Sequence, residues 1–165
     1  MISLAICSSL LIAVAAAFSA SSNAIDINDR FFRASQAGRI ATGQMLASLR
    51  KCQDCLVGSS YDGSSTTVSA DIVQFRGTDD KYYHYAYDPA ARTLSLTDEA
   101  ANKTYTLAHN VDRLGTAKIF TADMSPDPVT QVMRPVRIAV GFTIQIGNDT
   151  IPLSGSAVPR RSVVY

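Results

Sequence analysis

The first glycine of this chain is Gly38 and the first proline is Pro89. Glycine and proline are the residues that most often end a helix. Their absence over so long a stretch predicts one continuous helix from the start of the chain to about Cys52. At 1.5 Å per residue such a helix is roughly 75 Å long. No compact domain of this size buries that length, so the front half is expected to project and to meet lipid or other chains.

The two halves differ in chemistry. Met1 to Phe18 carries no charge, and the first charged residue is Asp26. Leu4, Ile6, Leu10, Leu11, Ile12, Val14 and Phe18 make this block apolar on all sides, as expected of a segment in a membrane or a filament core. Composition alone leaves two readings open. A signal peptide would use Ala15 and Ala17 as its cleavage site, but lacks a basic start. A simple anchor would be slightly short of the ~20 residues a span requires. Beyond Asp26, the residues Phe31, Ala34, Gly38, Ala41, Met45, Leu49 and Cys52 recur at steps of three and four. That is the spacing of one helix face, so the second half is expected to be amphipathic. Residues 1–25 form the apolar half, and residues 26–165 a globular head with its helical part over 26–54.

After Cys55 the texture changes to "VGSSYDGSSTT", a turn-rich loop, and then to short β-rich runs across 66–165. These are "TTVSADIVQFR", "KYYHYAY", "RTLSLTD", "KTYTLAH", "AKIFTAD" and "VRIAVGFTIQIG". "DPAAR" reads as a hairpin connection, "NDT" at Asn148 to Thr150 as a turn, and "MSPDPV", with Pro126 and Pro128, as a loop. The expected class is α+β: one long helix packed by its second half on an antiparallel sheet.

The segment "MISLAICSSLLIAVAAAFSASSNAIDINDRFFRASQAGRI" resembles the N-terminal helix of type IV pilins and type II secretion pseudopilins. The order "YHYAYDPAARTLSLT", "VRIAVGFTIQIG", "LSGSAVPRR" is similar, more loosely, to that of minor pilin heads. The resemblance implies a pilin fold and a non-enzymatic subunit of a pilus or pseudopilus. Its partners would be other pilin or pseudopilin subunits, inner-membrane lipid and, for a precursor with a leader, a prepilin peptidase. It implies a single-pass bacterial inner-membrane protein with its head outside the cytoplasm. The alternative is a singly anchored envelope domain that binds a ligand or partner without polymerising.

Little in the sequence suggests chemistry. There are two histidines, no tryptophan and a formal charge of +1, which argues against acid–base catalysis and against a nucleic-acid surface. No cofactor is expected. Cys52-Gln-Asp-Cys55 could be half a zinc site, a redox pair, or a local disulfide or thiol pair at the helix end. No second Cys or His pair follows, and a helix C-terminus disfavours a thiolate, so the structural reading is preferred. Tyr82, His84 and Ala86 share one face of a strand, which packs cross-strand neighbours or stacks planar ligands. His109 is expected at a solvent edge. The acidic pairs Asp79–Asp80 and Asp123–Asp127 are not spaced as a calcium loop.

The family pattern places a leader ending in Gly, then Phe, three residues and Glu, before the apolar run. The reading frame is therefore expected to extend upstream of Met1 and to encode that motif. The genomic sequence checks this, and an in-frame stop codon there would remove the main support for a pilin.

Overall fold

The computed structural model describes residues 2–58, 65–127 and 132–160, with side chains from Ile6 onward. One helix, α1, runs over Ile2–Lys51. Among the described residues ten strands follow: β1 Asp54–Val57, β2 Thr67–Ala70, β3 Ile72–Arg76, β4 Tyr82–Asp88, β5 Thr93–Asp98, β6 Lys103–Ala108, β7 Val111–Arg113, β8 Phe120–Pro126, β9 Met133–Ile146 and β10 Asp149–Ala157. Every pairing is antiparallel. The class is α+β, as the sequence predicts. The chain divides into two compact units, Met1–Ala34 and Ser35–Tyr165.

Within the second unit the strands form two sheets rather than one. The first has the order β1-β3-β4-β5-β6, and the second β10-β9-β8-β2 with β7 also on β9. "TTVSADIVQFR" supplies a strand to each sheet, and the chain crosses between them at Asp71. The helix ends at Lys51, one residue before the expected end near Cys52, and β1 takes up Asp54, inside the 26–54 span given to the helical part. Arg50 and Lys51 occupy the last helical turn, where cations complement the exposed carbonyl dipoles.

Both sheets bury side chains against the helix part of this unit. Gly38, Ala41, Met45 and Leu49 form its buried stripe, which Cys52 continues just past the helix end, on the spacing expected from sequence. A Cβ at Gly38 would collide with Leu153 and come within 2.6 Å of Ile144 Cδ1. The bare Gly38 lets these two side chains rest directly on the α1 backbone, and a larger residue there would force both to shift. Leu46 packs against Gly155 in β10. From the other sheet, Tyr85 is fully buried and bonds Ser48 of α1. Thr42, the one buried polar side chain of this stripe, donates to the Gly38 carbonyl at 2.8 Å.

Two turn expectations need correction. Met124 to Pro126 of "MSPDPV" is strand, paired with Met133 to Pro135 of β9. It is tolerated because β2 pairs only with Phe120 to Asp123. The proline sits where β8 has a neighbour on one side only, and a missing N–H costs no second ladder bond. Pro128 and most of the expected "VGSSYDGSSTT" loop lie outside the described residues. The second turn is Gly147–Asn148, since Ile146 already pairs with Asp149. Gly147 takes the positive φ, 61°, that a two-residue hairpin requires. "DPAAR" does connect β4 to β5, with Asp88 Oδ1 accepting from the amides of Ala90 and Ala91.

The crossing at Asp71 is held by charge. Its carboxylate accepts from Arg113 Nη2 at 2.6 Å and Nε at 3.2 Å, from Lys118 Nζ at 2.7 Å and from the Ile119 amide at 3.5 Å. Its carbonyl accepts from the Tyr87 amide at 2.8 Å, so one residue ties β4 to the segment between β7 and β8. Burial acts to raise the Asp71 pKa, but the Arg113, Lys118 and Ile119 bonds outweigh it and hold it below the ordinary 3.8. A depressed carboxylate stabilises the fold above its unfolded pKa, and that contribution is lost as pH falls through the folded value. Asp71→Asn should therefore cost about 2 kcal/mol at neutral pH, the size of a charged hydrogen-bond set. Urea unfolding of the full chain in detergent, repeated below pH 4, should show the two proteins converging.

Candidate membrane and assembly surface

In the first unit, Ile6, Leu10, Leu11, Ile12, Val14 and Phe18 are between 54% and 78% exposed. Leu4 lies in α1, but its side chain is outside the described residues. α1 is long and apolar enough to cross a membrane, and none of its most apolar window is buried within the chain. Large apolar side chains on all sides of a helix with no protein cover require another apolar phase.

That exposure does not stop where the uncharged block stops. Ile25, Ile27, Phe31 and Phe32 are exposed too, among Asp26, Asp29, Arg30 and Arg33. Phe31 was expected on the buried stripe. The second unit begins only at Ser35 and burial on the helix only at Gly38, so the stripe is shorter than its spacing suggests. Arg33 pairs with Asp29 one turn earlier at 2.8 Å. A surface pair of this kind contributes a few tenths of a kcal/mol. It lowers the charge beside these apolar groups without covering them.

At the other end of α1, Cys52 and Cys55 are joined by a disulfide, with Cα atoms 6.5 Å apart. It links the residue after the helix to β1, and Cys52 is buried. Cys7 is free and exposed.

The residues weighed for chemistry are scattered. His84 Nδ1 is 3.2 Å from Glu99 Oε1 on the outer face of its sheet, and His109 is exposed. Tyr83 and Tyr85 stack on Phe75, with ring centroids 5.6 and 5.2 Å apart, so the inward half of the tyrosine run is packing. Tyr83 donates to Asp79 Oδ2 at 2.8 Å, and that bond, with burial and nearby charge, pushes its hydroxyl up to about 12. Asp80 pairs with Arg76 and Asp127 with Arg134. Among the described residues, no three His, Cys, Asp or Glu side chains are grouped as a metal site.

A disulfide across so short a loop removes little chain entropy, about 2 kcal/mol at most. Cys52→Ser with Cys55→Ser should lower the unfolding midpoint modestly and leave the sheet circular-dichroism signal unchanged. Stoichiometric zinc in the purified protein would contradict the structural role.

Compared with family models, with curated proteins and with solved structures, the chain finds no match to any of them.

Proposed function

We propose that this chain is a structural subunit, a minor pilin or pseudopilin, of a bacterial envelope filament. α1 holds it in the inner membrane before assembly and packs among neighbouring subunits afterwards. Its role is architectural rather than enzymatic. The second unit makes the outward contacts. A prepilin peptidase is a partner of the precursor.

One observation carries this reading beyond a simple anchor: exposed apolar surface continues past the reach of lipid. The polar run that starts at Ser19 marks the edge of the hydrocarbon. Headgroups extend that edge by only ~5–8 Å. Ile25 stands ~9 Å and Phe32 ~20 Å further along the helix axis. In a lone anchored monomer these side chains face water. In an assembly, neighbouring helices cover them, and removal of that apolar area from water drives association.

Phe32→Lys separates the two readings. Membrane retention should be unchanged, because the span is untouched, while recovery in a sheared filament fraction should fall about tenfold, the effect of losing a buried aromatic anchor. Unmodified chain that stays a membrane monomer, with no copy in the filament fraction, would favour the singly anchored envelope domain.

A further inference from the structure

Leu11, Phe18, Ile25 and Phe32 stand at seven-residue steps on α1. At 71%, 78%, 66% and 67% they are four of the five most exposed large apolar side chains described on the helix, with Ile12 the fifth. Seven residues make slightly less than two full turns of a straight helix, so such a line drifts by about 20° at each step. A partner helix follows that drift by winding left-handed around the first.

The line also crosses between two solvents. Leu11 and Phe18 lie in the uncharged block, and Ile25 and Phe32 lie beyond it. Lipid covers the first pair and not the second. A water-soluble partner covers the second and not the first. Another copy of this chain, parallel and at the same height, has the same apolar block and the same line, and covers all four.

The neighbouring positions suit a copy of themselves. Three residues beyond each of the first three come Val14, Ser21 and Asn28, all uncharged, so no like charges meet across a two-fold axis. Asp29, beside the line, is already paired with Arg33. Ala15, Ser19 and Ser22 leave a shallow groove against Leu11 and Phe18, and small residues let two helices approach closely.

We propose that two copies pair in parallel and in register along Leu11, Phe18, Ile25 and Phe32, forming a left-handed helix pair that runs from the membrane into the aqueous layer. The pair rests on the assembly reading above, and it is more specific than that reading: staggered subunits in a filament would bring unlike positions together.

Single cysteines placed from 25 to 32 in full-length Cys7→Ser chain, in membrane vesicles under mild oxidation, test this. Disulfide-linked dimers should peak for Ile25→Cys, Asn28→Cys and Phe32→Cys. Ile27→Cys and Arg30→Cys, on the far side of the helix, should give about tenfold less. Equal yields at all positions overturn the pair. Links that form only between unlike positions of co-expressed variants also overturn it, while leaving assembly intact. No links of either kind, in vesicles or in the filament fraction, overturn both.

Discussion

The structure depends on one helix being covered from two directions. From Gly38 to Leu49 the buried stripe of α1 is met by β9 and β10 on one side and by Tyr85 of the other sheet. Among the described residues, neither sheet has another helix to pack on. A sheet with one bare apolar face is not stable in water. Both sheets therefore depend on the same few turns of helix, and the side chains there are correspondingly constrained. Gly38 admits two branched side chains against the backbone, and Met45 and Leu49 are fully buried between the layers.

Charge does a different job, at the places where the chain changes sheets. Asp71 gathers Arg113, Lys118 and a backbone amide at one crossing. At the next, Arg92 reaches Gln145 at 2.6 Å and Asp112 at 3.3 Å. These groups are partly exposed, so each contributes less than a buried methyl-rich contact. Their value is directional. Apolar packing tolerates a sliding sheet, whereas a two-pronged Arg113–Asp71 contact fixes where one sheet meets the other.

Much of this was legible in the sequence, and the misses have physical causes. The helix was readable because it is defined by absence of breakers and by local periodicity. The strands were readable from β-rich runs and turn residues, because both act locally. The split of "TTVSADIVQFR" into two sheets was not, because Asp71 looks like any polar residue in a strand until Arg113 and Lys118, far along the chain, are placed beside it. Met124 to Pro126 looks like loop in the sequence but forms strand, because a proline rules out only a strand flanked on both sides, and flanking is a tertiary property. Phe31 has the right spacing for the buried face, but spacing does not say where the covering sheet stops. The apolar surface of α1 is legible as a segment long and apolar enough to span a membrane. Its continuation to Phe32 was hidden among charged residues, and only the seven-residue step would have marked it.

The register of α1 against β9 and β10 also sets an order of events during synthesis. The helix leaves the ribosome long before Ile144, Leu153 and Gly155, the residues that close over Gly38 and Leu46. Until they arrive, the apolar stripe of the second unit has no cover of its own, while the apolar block ahead of it can already enter a bilayer. During that interval the unfinished second unit shows an apolar helix face that its own last strands later cover, so the end of the chain decides when that face leaves water.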